Sequence, residues 1–170
     1  MTWIHPGDFQ SQDGSPKSFG PQLLMDQDIV LVSVNYRLGP LGFLSMDSDQ
    51  APGNLGLRDQ ALALQWIKDE ANKFCGDPER ITIFGSEAGS ISALLQMLSP
   101  SNEGKDLFQG VIAQSGSPIK HPMFSLVDRK QAAIQLANDI GCKNSEVNEP
   151  ILINIGIQVN FCYFRTFLNV

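Results

Sequence analysis

The residues most able to do chemistry lie between two glycines, Gly85 and Gly89, where an apolar run gives way to a helical pattern. A strand followed by a sharp, glycine-bounded turn and a helix lifts the middle side chain of the turn above a sheet. The middle position holds Glu87, and the serine of the turn, Ser86, comes one residue earlier. A carboxylate is a weak acyl acceptor at neutral pH and needs a further base to complete a turnover. The turn therefore predicts a position suited to a nucleophile, but the residue at that position, Glu87, has no hydroxyl group.

Two histidines are the candidate proton-transfer groups, because imidazole is the most frequent general base in proteins. His5 belongs to the loop segment His5-Pro6-Gly7-Asp8-Phe9 and is expected to order that loop, whereas His121 is expected to be a solvated loop residue. Neither histidine is predicted to bind a metal, and the three cysteines lack the close spacing of a zinc site. We therefore predict no metal and no cofactor.

Length and composition indicate one folded domain. The chain has 170 residues, of which 42% are hydrophobic and 18% are charged, and a domain near this length buries about 68–70% of its unfolded surface. The net charge is −6 and there is no basic run, so nucleic acid and anionic membranes are poor partners. The first residues lack the pattern of an export signal, and the polar residues of the tail argue against a membrane-spanning helix.

Strand and helix patterns alternate along most of the chain, with apolar runs that predict three strands and period-3.6 spacing that predicts three helices. The strands are expected at 29–34, 80–84 and 111–113, and the helices at 54–75, 91–98 and 128–141. Residues 35–56 carry turn signals and are expected to form a long loop. The alternation predicts an α/β fold with a mostly parallel sheet and ligand sites at the carboxyl ends of its strands. Residues 151–170 alternate with period two, which favours a strand.

Six ordered segments carry a resemblance to a known family. They are 3–9 (WIHPGDF), 35–43 (NYRLGPLGF), 53–66 (GNLGLRDQALALQW), 75–78 (CGDP), 83–85 (IFG) and 114–117 (QSGS). In order and spacing they resemble the type B carboxylesterase family, which includes the cholinesterases, over roughly residues 1–145. The resemblance implies an incomplete α/β-hydrolase fold, with residues 1–146 as a partial catalytic domain and residues 147–170 as a tail foreign to the family.

The same resemblance implies four adjacent parallel strands, near residues 1–5, 29–35, 80–85 and 110–115. The outer strands of the family's sheet would be missing, which would leave unpaired backbone groups at both sheet edges. We therefore expect the chain to be unstable or prone to aggregation when it is expressed alone.

The activity that the resemblance implies is ester hydrolysis through a Ser, His and Glu/Asp triad with an oxyanion hole. The nucleophile position falls on Glu87, and Ser86 stands where the family usually has Glu, so Ser86 should not reach the attack position. The oxyanion-hole amides would come from Gly7, Asp8 and Ala88, with the Asp8 carboxylate opposing the developing negative charge. Losing a single donor already costs about 10²–10³ in rate. The family's acid and histidine fall beyond the last residue, so the chain is predicted to be catalytically inactive.

Alternatives to an inactive esterase stay open. Glu87 could act as a carboxylate nucleophile, similar to the dehalogenases and epoxide hydrolases of this fold, or the order of Ser86 and Glu87 could reflect a substitution or a sequence error. A cholinesterase-like adhesion or binding protein would use the surface of the fold without a triad. The resemblance implies a small-molecule ester as the partner of an active form and a protein as the partner of the binding alternative. It also implies secretion or residence in the endoplasmic-reticulum lumen.

Structural roles complete what the resemblance implies. Arg37 and Asp59 are expected to form a buried or half-buried ion pair that ties the loop after Asn35 to the following helix. Breaking a buried pair by removing one partner costs about 3–5 kcal/mol. Cys142 is similar to the first half of a family disulfide, but Cys162 comes at the wrong distance, so Cys142 is predicted to be an unpaired thiol.

Overall fold

The computed structural model describes residues 1–49, 51–119 and 128–139. His121, Cys142, Cys162 and the period-two tail lie outside the described residues, so what was predicted for them stays a prediction.

Within the described residues, the sheet contains four parallel strands in the order β2-β1-β3-β4. They are β1 (Thr2–Ile4), β2 (Val32–Val34), β3 (Thr82–Ser86) and β4 (Gly110–Gln114). The predicted α/β fold with a parallel sheet is confirmed. β2 is shorter than its apolar run because it pairs with β1 over three residues only, Thr2 to Ile4 opposite Val32 to Val34.

The strand order reverses between β1 and β3, because the chain passes from β2 on one side of β1 to β3 on the other. In open parallel sheets a ligand crevice forms outside the carboxyl ends of the strands at such a reversal. Ile4 pairs with Gly85 across these two strands. The loop that follows Ile4 and the turn that follows β3 therefore start side by side at the same end of the sheet.

Four α-helices accompany the strands in the part of the chain that the structure describes. They are α1 (Gly39–Phe43), α2 (Leu55–Glu70), α3 (Ala88–Leu98) and α4 (Arg129–Asp139), with 3₁₀ turns at Ala71–Phe74 and Pro100–Asn102. Helix α1 lies within residues 35–56, which were expected to form a long loop, and so corrects that expectation. Pro40 lies in the first turn of α1, where its missing N–H costs no helical hydrogen bond.

Asn54 directly precedes α2 but does not cap it. Asn54 has a left-handed backbone, with φ 54°, and its side chain makes no capping hydrogen bond. An N-cap side chain reaches the first amides of a helix from an extended backbone. The helix itself begins where the sequence predicts, so its apolar face rather than its cap decides that start.

The main core lies between the sheet and helices α2 and α3. It is built from fully buried aliphatic side chains of each layer, among them Ile4, Ile83, Leu64 and Ile91. α3 contacts β1, β3 and β4. Because α3 follows β3 after the single intervening residue Glu87, this packing fixes both sides of the turn.

Candidate functional site

The turn between β3 and α3 is a sharp elbow with Glu87 at its crest. Glu87 has φ 54° and ψ −115°, a backbone that non-glycine residues rarely adopt. Its N–H donates to the Gln114 carbonyl oxygen at 3.0 Å, and its carbonyl oxygen accepts from the Ile91 N–H at 3.0 Å. Strained backbone persists only where the surroundings hold it, and here β4 holds one side while the first turn of α3 holds the other.

Glycines allow this elbow because side chains would collide with main-chain atoms. A Cβ on Gly85 would overlap the Gly89 carbonyl group, and a Cβ on Gly89 would overlap the Ile4 carbonyl oxygen. A Cβ on Gly116, which follows β4, would overlap the Glu87 carbonyl oxygen. The spacing of Gly85 and Gly89 in the sequence is therefore required by close packing of backbone on backbone.

Ser86 is the last residue of β3 and pairs with Gln114. Along this strand Ile83 and Gly85 are buried, whereas Phe84 and Ser86 are half-buried. Successive side chains of a strand point to opposite faces, so Ser86 shares a face with Phe84. The serine thus belongs to the strand, and the residue at the crest is Glu87.

The loop after β1 approaches the crest from the neighbouring strand. Gly7, Asp8 and Phe9 all have positive φ, of 114°, 52° and 60°. The Gly7 N–H donates to the Glu87 carboxylate, with 2.8 Å between the nitrogen and Oε2. The structure thereby brings together Glu87 and Gly7, which the resemblance had placed at the nucleophile position and in the oxyanion hole.

The other two residues of the implied oxyanion hole are Asp8 and Ala88. Ala88 is buried at the first position of α3, directly after the crest. Asp8 is exposed, so water can solvate its carboxylate. The carboxylate that accepts from the Gly7 N–H is that of Glu87, not that of Asp8.

The rings of His5 and Tyr36 pack together beside the loop. The sequence predicted a role for His5 but none for Tyr36. His5 is 1% exposed and stacks on Tyr36 with 4.5 Å between ring centroids. The Tyr36 hydroxyl donates to the His5 carbonyl oxygen at 3.1 Å, and His5 Nδ1 lies 2.7 Å from the Pro6 carbonyl oxygen. Burial raises the pKa of Tyr36, and the nearby charge of Glu87 raises it further. The one feature of the sequence that could have pointed to Tyr36 is its place just beyond the strand predicted at 29–34, where ligand sites of a parallel sheet are expected.

Arg37 and Asp59 form a two-pronged ion pair. Arg37 Nε donates to Asp59 Oδ2 at 2.7 Å and its Nη2 donates to Oδ1 at 2.7 Å, while the Arg37 N–H donates to Oδ2 at 3.1 Å. These guanidinium bonds lower the pKa of Asp59. The Arg37 side chain is 49% exposed, so the penalty of about 3–5 kcal/mol for a buried pair does not apply. Exposed pairs contribute about 0–1 kcal/mol.

Two cavities within the described residues, of about 480 and 460 Å³, are lined by residues that include Met97 and Trp66 respectively. Neither of these two cavities is lined by Gly7 or Glu87. Within the described ranges, no group of three or more His, Cys, Asp or Glu side chains could hold a metal ion. No helix among the same residues has the length and apolar character needed to span a bilayer.

A parallel sheet with an order reversal at β1 and β3, and a strained elbow over that point, define the α/β-hydrolase class. Within that class the chain belongs to the carboxylesterase family, since the model of the "Carboxylesterase family" matches residues 1–154.

Curated relatives and a solved structure are similar to most of the chain. Juvenile hormone esterase of Tribolium castaneum is 45% identical over 145 residues, covering 84% of this chain and 24% of the relative. Cholinesterase 1 of Branchiostoma lanceolatum is 42% identical over 155 residues, covering 90% of this chain and 43% of the relative. Juvenile hormone esterase from Manduca sexta, solved with OTFP covalently attached, superposes with a TM-score of 0.77 at 29% identity and covers 93% of this chain and 29% of that one. The chain thus spans less than half the length of these relatives.

Proposed function

We propose that this carboxylesterase-family chain, with Glu87 in place of a serine, does not hydrolyse esters. The observation that carries the proposal is that Glu87, and not a serine, occupies the crest of the elbow. Acyl transfer in a serine hydrolase begins with attack by a hydroxyl that a base has activated. Removing the nucleophile or its base in such an enzyme costs about 10⁶ in rate.

The place of Ser86 supports the proposal. Its side chain leaves β3 on the face it shares with Phe84, one residue before the backbone turns at the crest. The side chain that bonds to the Gly7 amide is that of Glu87. Ser86 thus carries a hydroxyl but belongs to the strand, whereas Glu87 lies at the crest but carries no hydroxyl.

The substrate class of an active form follows from family membership only as a proposal. The relatives carry the names of esterases for a hormone and for choline esters, and another is a bile salt-activated lipase of Mus musculus. What they share is a carboxylic ester. We therefore propose a small-molecule carboxylic ester for any form of this protein that carries serine at the crest.

The test uses the purified full chain with p-nitrophenyl acetate and with a fluorophosphonate probe, beside Ser86→Ala and Glu87→Gln variants. The expected result is no stoichiometric labelling and hydrolysis equal in all three proteins, at the rate of the buffer. Stoichiometric labelling that disappears in Ser86→Ala would overturn the proposal. Hydrolysis that disappears in Glu87→Gln but survives in Ser86→Ala would overturn it differently, by showing a carboxylate nucleophile.

A further inference from the structure

The Gly7 amide has a fixed direction. Its residue begins a run of three positive φ angles, and a Cβ on Gly7 would overlap the Ser11 carbonyl group. The Gly7 carbonyl oxygen accepts from the N–H groups of Gln10 and Ser11 at 2.9 and 3.0 Å. Phe9 is buried and packs edge-on against Phe43, with 5.1 Å between ring centroids. These contacts leave the Gly7 N–H facing the elbow.

Gly7 itself is buried, so water has little access to its N–H. A buried amide without an acceptor costs free energy comparable to a lost hydrogen bond. The Glu87 carboxylate supplies the acceptor at 2.8 Å, within the range of a charge-assisted bond. Since the Glu87 backbone is held by Gln114 and Ile91, both ends of this bond are fixed by the fold.

We infer that the Glu87 carboxylate is an internal ligand of the loop over residues 7–9, called the Gly7 loop below. The bound carboxylate keeps other anions from binding to the Gly7 amide. Shortening the side chain at residue 87 then opens a site for a small external carboxylate such as acetate. This inference rests on the proposed function only in treating Gly7 as part of an oxyanion-type loop. It requires no ester and no turnover.

The test follows the Gly7 backbone amide by NMR in the ¹⁵N-labelled full chain. Acetate is titrated against chloride at equal ionic strength into the unsubstituted protein, Glu87→Ala and the matched control Glu103→Ala. Glu103 is an exposed glutamate just beyond the other end of α3. We expect the Gly7 resonance of Glu87→Ala to shift saturably with acetate toward its position in the unsubstituted protein. The other two proteins should show no such shift.

Thermal unfolding gives a second readout. A ligand that binds only the folded state raises the midpoint, so acetate near its dissociation constant should raise the midpoint of Glu87→Ala by about 1–2 °C over chloride. The unsubstituted protein and Glu103→Ala should gain nothing beyond the effect of chloride.

Two results would overturn the inference. One is a Gly7 amide in Glu87→Ala that ignores acetate while the amides of β1 and β3 keep their positions. The other is an equal response in the unsubstituted protein. If Glu87→Ala does not fold, Glu87→Gln decides, because the neutral amide is a weaker acceptor of similar length. The Gly7 proton should then move upfield, and an unchanged resonance would refute the contact. None of these results bears on ester hydrolysis, so the proposed function is tested separately.

Discussion

Gly89 packs so tightly against Ile4 that a Cβ on Gly89 would overlap the Ile4 carbonyl oxygen. The contact joins the first turn of α3 to the end of β1 and sets the distance between the elbow and the Gly7 loop. Its atoms belong to the main chain, so neither residue can move aside without shifting a strand or a helix.

Gly89→Ala is expected to destabilise the protein although alanine favours a helix. The gain in helix propensity is about 1 kcal/mol, whereas overpacking costs about 1–3 kcal/mol, and the upper part of that range, about 2–3 kcal/mol, applies here because backbone is displaced. We expect a net loss of about 1–2 kcal/mol in the free energy of unfolding, measured by urea denaturation. Met97→Ala, at an exposed site of the same helix, should change it by no more than about 0.5 kcal/mol. Equal stability of Gly89→Ala and the unsubstituted protein would refute the close packing.

A chain of buried amides joins α2 to α3 and forms the second prediction. Gln96 Nε2 donates to the Leu57 carbonyl oxygen at 2.8 Å and to Gln60 Oε1 at 3.1 Å, and Gln60 Nε2 donates to Ser92 Oγ at 3.0 Å. Gln60 and Gln96 are 0% and 2% exposed. Each buried polar group left without a partner costs about 1–3 kcal/mol.

Gln96→Leu should therefore lower the free energy of unfolding by about 2–4 kcal/mol, since it strands several partners at once. Gln60→Leu should lower it too, and the double variant should lose less than the sum of the two because the pair shares one bond. Gln65→Leu, at a half-buried position of α2 where Gln65 bonds to the exposed Asp69, is the control and should stay within about 0.5 kcal/mol. Strict additivity of Gln60→Leu and Gln96→Leu would count against a shared network.

The ion pair of Arg37 and Asp59 predicts a pH dependence. The folded protein holds the pKa of Asp59 below its ordinary value of 3.8, so the unfolded chain takes up a proton first as the pH falls. The stabilisation is complete at neutral pH and is lost as the pH drops below about 4, through the lowered pKa. Asp59→Asn should cost about 0.5–1 kcal/mol at pH 7, and the difference should shrink toward pH 3.

Arg37→Lys keeps the charge but loses the planar two-pronged contact, so it should recover only part of this stability. Asp26→Asn, at an exposed residue, serves as the control. A penalty for Asp59→Asn that is the same at pH 7 and pH 3, by urea denaturation, would show that the pair is not its source.

The hydroxyl of Tyr36 predicts an alkaline effect. Because the folded protein raises the pKa of Tyr36 above its ordinary value of 10.0, the unfolded chain loses the phenolic proton first as the pH rises. Stability is therefore retained below pH 10 and decreases above it. Tyr36→Phe should cost about 1 kcal/mol at pH 7 by losing the bond to the His5 carbonyl oxygen. It should also flatten the fall in unfolding free energy between pH 10 and pH 11, and an equally steep fall in the variant would contradict this assignment.

The sequence by itself determined the fold class, because apolar runs and helical spacing report which faces must be buried. Strands β2, β3 and β4, helices α2, α3 and α4, and the glycine-bounded turn at Glu87 all lie where those patterns put them, whereas β1 was expected only from the family resemblance. It also determined that a carboxylate stands at the crest, since the register of Gly85 and Gly89 allows only one middle residue.

The tertiary structure decided where that carboxylate binds. The contact of Glu87 with Gly7 joins residues 80 positions apart, and no local pattern encodes the distance between two strand ends. The same holds for the exposure of Arg37 and for the stacking of Tyr36 on His5, which depend on how separate loops meet over the sheet. Short-range sequence patterns specify which surfaces are covered, whereas the partner of a single polar side chain is fixed only when the core has packed.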